Sequence, residues 1–404
     1  MQSNQPLKGV RVIDLTYFIA GPGAARILAD WGADVIKVEP SWGDPGRGTG
    51  RSMQMPTEVD VNPLYSTYNS NKRGIALDLK GEKGMEVLHK LLETADVFIS
   101  SYRTKALVKL GLDYETLHEK YPKIVWAQVN GFGDFGPAKD NPGFDTVAFW
   151  ARSGAMSDCA EQGTTVNPPI GFGDATTSCS LAGGIAAALY EQQKTGVGKK
   201  VMVSLFGQAI WNLSSVVVST QYGDEYPKTR KNAVSPVINS YRCSDGKWIF
   251  LSILEHERYF PILCQVLKRA DLAEEEKFAT TLSAKENGPE LIQILDAEFV
   301  RYTQDEMDRM LTEADIAHEK IQGTKDLVTD QQALANNYVH PFTNRDGSTT
   351  YYAMPPVKFN TVEPVDIQDA PKVGQHNLEV LKELGYSEEE VAGLLADGVL
   401  YEVK

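Results

Sequence analysis

Two aspartates stand where their type and setting allow chemistry. Asp174 lies in Pro169-Ile170-Gly171-Phe172-Gly173-Asp174-Ala175-Thr176, and positions 175–190 (ATTSCSLAGGIAAALY) carry no charge. Such an Ala-, Leu- and Gly-rich run reads as a helix buried on most sides, with Asp174 at its start. Free first-turn N–H groups and the positive end of the helix dipole would keep a carboxylate ionised there. Gly171 and Gly173 remove side-chain bulk, so another molecule could approach closely. A helix cap is the plain role for Asp174, and an exposed nucleophilic carboxylate at a pocket mouth is the chemical one. Asp145, in Pro142-Gly143-Phe144-Asp145, opens another mostly uncharged stretch, TVAFWA, and poses the same choice.

The elements around these residues alternate between strand and helix. Residues 9–15 (GVRVIDL) read as a strand, Ile19-Ala20-Gly21-Pro22-Gly23 as a loop, AARILADWG as a helix, and ADVIKVEP as a second strand stopped by Pro40. This βαβ unit lacks the G-x-G-x-x-G spacing of a dinucleotide site, so a Rossmann-like packing unit is expected, with no dinucleotide. Residues 41–70 read as an irregular segment. Strand IALDL, helix EKGMEVLHKLLETA, strand DVFIS and strand IVWAQV follow. A mostly parallel sheet covered on both faces is the expectation. Gly131-Phe132-Gly133-Asp134-Phe135-Gly136 has the literal glycine spacing after a strand, but Pro137 and a polar run follow it. No helix can open there to hold a pyrophosphate, so the stretch reads as a glycine loop near a reaction centre.

Further along, KKVMVSLFGQAIWNLSSVVVSTQYGD gives a strand and a helix, and EYPKTRKNAVSPVINS reads as a linker. A hairpin with an Asp245-Gly246 turn opens a smaller α+β domain. The expected division is 1–224 for the first part of a large domain, 225–325 for the small domain, and 326–404 for a return to the large one.

Composition narrows the function. The 404-residue chain carries a formal net charge of -14, which argues against nucleic acid and anionic membranes as partners. No basic and then apolar leader opens the chain, and no apolar run is long enough to cross a membrane. Cys159, Cys179, Cys243 and Cys264 are scattered without a CxxC pair, which points to reduced thiols in the cytoplasm. The six histidines are dispersed, so spacing gives no metal site. Neither a metal nor a redox cofactor is expected.

The segments GVRVIDL…AGPGAARILADWGADVIKVEP, NKRGIALDLK, PGFD, GFGDATTSCSLAGGIAAALY and VGQHNLEVLKELGY, in that order, resemble the class III (family III) coenzyme A transferases. The similarity spans essentially the whole chain. RTKALVKLGLDYETLHEKYPK and PGFDTVAFWARSG are most similar to the 2-hydroxyacyl and aryllactyl group, the phenyllactate and 2-hydroxyisocaproate CoA-transferases of amino-acid fermentation. The resemblance implies an α/β fold: a Rossmann-like large domain built from both chain ends, a smaller α+β domain, and two subunits interlocked as a homodimer. It implies that Asp174 is the catalytic nucleophile and that coenzyme A or acyl-CoA is a substrate, with no permanently bound cofactor. It places Lys80, Arg103 and Lys109 where relatives contact CoA, with Tyr102 beside the adenine. Arg103, Lys105 and Lys109 cluster without an intervening acid, which suits phosphate oxygens. The implied reaction moves CoA from an acyl-CoA to a carboxylic acid, here a medium-chain or aryl 2-hydroxy acid.

The sequence departs from formyl-CoA transferase in two places. Ile19 stands where that enzyme has a glutamine, and no tetraglycine run occurs between 223 and 246. Phe144, Phe149, Trp150 and Trp211 are candidates to line an apolar acyl pocket. Three rivals stay open. An α-methylacyl-CoA racemase shares the fold but uses a histidine where this chain has Phe144. A nicotinamide-dependent dehydrogenase would rest on the first βαβ unit and Glu39, without the glycine fingerprint. A non-catalytic CoA-binding subunit would keep Asp174 only as a cap.

Overall fold

The computed structural model describes residues 5–359 and 366–403, so the first four residues of the stretch read for a leader lie outside it. The chain forms two compact units: Met1–Ala155, Pro168–Val217 and Val328–Lys404 make the first, and Met156–Asn167 with Val218–Leu327 the second.

The first unit is built on six parallel strands: β1 (Arg11–Leu15), β2 (Asp34–Glu39), β3 (Arg73–Ala76), β4 (Val97–Ser100), β5 (Val125–Asn130) and β6 (Lys200–Ser204). Their order is β3-β2-β1-β4-β5-β6, the doubly wound arrangement whose strand order reverses between β1 and β4. Strand side chains alternate between faces, so Ile13, Leu15, Ile36, Val38, Ile75 and Phe98 enter one core. Val12, Val35, Val97, Ile99, Val125 and Val129 enter the other. Helices α1 (Ala20–Asp30), α2 (Pro63–Asn69), α3 (Glu82–Glu93), α4 (Thr104–Leu110) and α5 (Tyr114–Lys120) precede the long α7 (Phe172–Thr195) in this unit, and a one-turn α6 (Ala155–Asp158) falls where the chain leaves it. The second core brings α1 and α7 together through Ala24, Leu28, Leu181 and Ile185. The Ser178 hydroxyl, on α7, donates to the Ala20 carbonyl at 2.8 Å, so both helices begin at the same edge of the sheet.

Three expectations about helices need correction. The AGPGA stretch is the first turn of α1, not a loop, because Gly and Pro are both tolerated where the N–H groups are unpaired anyway. Segment 41–70 is not irregular: it holds a 3₁₀ stretch, Pro45–Met53, and α2, whose Asn62 cap and Pro63 set a proper start. α7 is also less buried than its composition suggests. Leu181, Ala182 and Ile185 are buried, while Ala175, Cys179, Gly183 and Ala187 lie on an exposed face.

The C-terminal segment returns to this unit. Arg73 pairs with Glu379 at 2.9 Å and Arg11 with Glu383 at 2.8 Å, and Leu77 bridges to Leu400. In the second unit, β7 (Ile238–Arg242) and β8 (Trp248–Ser252) form the hairpin expected around Asp245-Gly246, and β9 (His318–Lys320) adds to β8. Helices from His256 onward cover that sheet with Phe260, Leu263, Leu295 and Phe299.

Candidate active site

In a doubly wound sheet the crevice lies beyond the carboxyl ends of the strands, where the order reverses. A cleft of about 140 Å³ occupies that place. Tyr17, Phe18 and Ile19 follow β1, Ser101 and Arg103 follow β4, Asn130 ends β5 and Gly131 follows it, and Leu205 follows β6. Asp174, Phe144 and Lys139 complete the lining.

Buried charges hold the loop after β1 in place. Lys72 Nζ donates to Asp14 at 2.8 Å, to the Pro22 carbonyl at 2.8 Å and to Asn69 at 2.9 Å. Lys37 donates to the Thr16 carbonyl at 2.9 Å and pairs with Asp44 at 2.9 Å. Asp44 in turn accepts from the Phe18 N–H at 3.1 Å, while Phe18 takes a left-handed φ of 67°. A bulky residue in that region is strained and persists only when its surroundings over-determine it. The Phe18 ring then meets Phe144 edge-on, with centroids 5.6 Å apart.

Asp174 is the third residue of α7 and does not cap it. Gly171 is the cap residue, at a φ of 74°, and no side chain makes a cap bond. The half-buried Asp174 carboxyl is therefore left facing the cleft. Its pKa is pushed up to about 7, first by desolvation and then by the neighbouring Asp145 charge. This reverses the expectation that the helix start would hold Asp174 readily ionised.

The helix start serves Asp145 instead. Asp145 is only 6% exposed and opens a wide π-type turn, Asp145–Ala151. A Cβ on Gly173 would come within 2.2 Å of Asp145 Oδ1, so the carboxyl rests on the α7 backbone. Burial raises the Asp145 pKa to about 6, although the N–H groups of Gly173 and Gly171 act in the opposite direction. Neither Asp145 oxygen has a partner at hydrogen-bond geometry.

Tyr68, on α2, is the third member of this cluster. Its hydroxyl lies 3.5 Å from where a Cβ on Gly171 would sit. Burial and then the Asp174 and Asp145 charges raise its pKa to about 12, so it is a neutral donor at ordinary pH. Sequence reasoning missed Tyr68 because it sits in the segment read as irregular. It also missed Lys139, a cation lining the Asp174 cleft.

The four residues expected at CoA divide by position. Arg103 lines the Asp174 cleft. Lys80 and Tyr102 line a second cleft of about 450 Å³ with Trp42, Leu110 and Tyr401. The Tyr17 and Tyr102 rings are 5.2 Å apart and link the two clefts. Lys109 is exposed on α4 and lines neither. Lys105, its neighbour in the basic cluster, pairs with Asp140 at 2.9 Å. Of the four aromatic candidates, Phe144 reaches the Asp174 cleft, Phe149 and Trp150 are buried, and Trp211 is exposed. The glycine loop touches the cleft at Gly131, and Phe135 at its tip is exposed. Among the described residues, no group of three or more His, Cys, Asp or Glu side chains is placed to hold a metal ion, and no helix is long and apolar enough to cross a membrane.

Comparison with known proteins identifies the family. Residues 7–377 match the description of CoA-transferase family III. The chain is 40% identical over 386 residues to (R)-2-hydroxy-4-methylpentanoate CoA-transferase of Clostridioides difficile, covering 95% of this chain and 97% of the relative. It is 39% identical over 404 residues to cinnamoyl-CoA:phenyllactate CoA-transferase of Clostridium sporogenes, covering 98% of each. A CAIB/BAIF family protein from Brucella suis superposes with a TM-score of 0.80 at 27% identity, covering 94% of this chain and all of that one. The chain belongs to CoA-transferase family III and is an enzyme of that class.

Proposed function

We propose that the enzyme moves CoA from an acyl-CoA to a 2-hydroxy acid with a branched or aryl side chain, through covalent intermediates on Asp174. The carrying observation is the Asp174 carboxyl, free of any capping duty and facing a cleft at the switch point of the sheet. A carboxylate nucleophile stores acyl-transfer potential that water would otherwise destroy. Asp174 attacks the donor thioester carbonyl: a C–O bond forms, the C–S bond breaks, and a mixed anhydride and CoA thiolate result. The thiolate attacks the aspartyl carbonyl and expels the donor carboxylate, leaving an aspartyl-CoA thioester. The acceptor carboxylate attacks that thioester and expels thiolate. The thiolate then takes the acceptor acyl group and frees Asp174. Each tetrahedral intermediate needs oxyanion donors. The first turn of α1 lines the cleft with Ala20 and Gly21, and first-turn N–H groups have no partner within a helix.

Arg103 and Lys80 serve the CoA phosphates, Tyr102 borders the adenine, and Lys109 adds charge from the outer face of α4. Phe18, Ile19, Phe144 and Leu205 give the acyl end of the cleft an apolar wall. Ile19, in place of a glutamine, fits that role, and the two relatives named for 2-hydroxy-4-methylpentanoate and phenyllactate support the acceptor class. The exposed, uncharged face of α7, flanked by exposed Phe172 and Tyr190, supports an interlocked homodimer. Free thiols at all four cysteines suit a cytoplasmic enzyme.

The deciding experiment is intact-protein mass spectrometry after mixing with a panel of acyl-CoAs and trapping with hydroxylamine or borohydride. Modification at Asp174 with release of the free acid is expected. Exchange of the α-proton without any adduct would replace this reading with racemisation. Turnover confined to oxalate or carnitine would overturn the acceptor class.

A further inference from the structure

We propose that Asp145 is a positioning residue that keeps Asp174 reactive: its carboxylate takes the amino end of α7, so those backbone donors do not blunt the nucleophile. The inference rests on the covalent reading above and adds a role for a second carboxyl. Three observations carry it. The Asp145 carboxyl is buried against the backbone of Gly173, the residue before Asp174. Neither oxygen reaches a partner at full hydrogen-bond geometry, so the buried carboxyl meets the Gly171 and Gly173 N–H groups as a nearby charge and is not held by any other bond. The α7 cap is a glycine with no side-chain bond, so nothing else competes for that helix end.

The chemistry follows from charge. A carboxylate bonded to first-turn N–H groups is stabilised as an anion and is a poor nucleophile. Placing a second negative charge beside Asp174 has the opposite effect. It raises the basicity of the attacking oxygen, and with it the pH at which attack begins. The groups facing the pair are Tyr68 from α2, the N–H groups of Gly171 and Gly173 from α7, and the carboxyls themselves. Arg103 and Lys139 line the same cleft. Tyr68 stays protonated through the neutral range, so Asp145 is the carboxyl whose charge acts on Asp174.

The test is the rate of adduct formation at Asp174, measured against pH by quenched mass spectrometry for wild type, Asp145→Asn and Asp145→Glu. Wild type should rise to half-maximal rate near neutral pH. Asp145→Asn should shift that rise to lower pH by roughly one unit or more, with a severalfold lower plateau rate and KM for the acyl-CoA nearly unchanged. Asp145→Glu should restore the wild-type position. An Asp145→Asn rise at the wild-type pH would overturn the proposal, as would a KM change with no pH shift. Should Asp145→Asn fail to fold, Asp145→Ser is read in the same way, and a rise at the wild-type pH in that variant would overturn the proposal. Absence of an Asp174 adduct at every pH would instead sink the covalent reading itself, which separates the two failures.

Discussion

Asp145 Oδ1 lies where a side chain on Gly173 would begin, 2.2 Å from the position of its missing Cβ. That single contact ties a buried carboxylate to the residue before Asp174. It makes glycine the one residue type that fits at 173, and it places two carboxyls on one helix start.

Gly173→Ala tests the contact directly. The new methyl would meet Asp145 Oδ1 at 2.2 Å and the Phe149 ring at 2.4 Å. Overpacking of this kind costs about 1–3 kcal/mol. A lower Tm and a loss of turnover greater than the loss of folded protein are expected. A variant with wild-type Tm and activity would mean that the helix start shifts freely.

Asp174→Asn should abolish the adduct and lower turnover by at least about 10³-fold, as removal of a covalent nucleophile does. It should also stabilise the protein, with a definite pH dependence. Burial, and then the Asp145 charge, hold the Asp174 pKa near 7 in the folded chain, above the ordinary 3.8 of an aspartate. The folded state therefore keeps a proton that the unfolded state releases, and stability is lost as pH rises from about 4 to about 7. At pH 8 the amide should raise stability by about 1–3 kcal/mol, and by less at pH 5. Thermal melts of the two proteins at both pH values check the sign.

Arg103→Ala should raise KM for acyl-CoA by roughly 10-fold or more, since a charge-assisted phosphate contact contributes about 1.5–3 kcal/mol. Lys80→Ala should do the same through the second cleft. Lys109→Ala should have a smaller effect, because its side chain lies outside both clefts. Equal effects at all three positions would show that the CoA path runs over α4 instead. The comparison needs only initial rates at varied acyl-CoA and saturating acid.

Phe144→Ala opens the wall opposite Phe18, whose ring it meets at 5.6 Å. Losing that apolar surface should cut kcat/KM for a branched or aryl 2-hydroxy acid by about 10–200-fold. A small hydroxy acid, which never reaches the wall, should be affected far less. A uniform loss across acids of all sizes would assign Phe144 to folding and not to selection.

Size-exclusion chromatography with light scattering checks the assembly. A mass twice that of the chain is expected. Charged substitutions on the exposed face of α7, such as Gly183→Glu or Ala187→Glu, should break the dimer. Dimers unaffected by both would place the interface elsewhere.

Much of the large unit was legible because strand and helix announce themselves locally. Short apolar runs marked β1, β2, β4 and β5 closely, the expected strand IALDL overlapped β3 only at Ile75 and Ala76, and the Asp-Gly turn marked the hairpin in the second unit. Misreadings fell where local composition was ambiguous. Glycine and proline suggested a loop at Ile19-Ala20-Gly21-Pro22-Gly23, yet both fit a helix's first turn. The lack of charge along α7 suggested burial, yet a face of small residues stays open in the single chain.

The sequence by itself determined the βαβ alternation, the glycines before Asp174 and the basic residues after β4, since these depend on neighbours along the chain. Only the tertiary structure decided which groups share the site. The strand order put the crevice between β1 and β4, and it brought Tyr68, Asp145 and Lys139 from separate segments to Asp174. Local pattern also misjudged the charge of Asp174, because a helix start favours whichever anion reaches it. Here packing delivers Asp145 to that end, and the pKa of Asp174 rises, first through its own burial and then through the Asp145 charge.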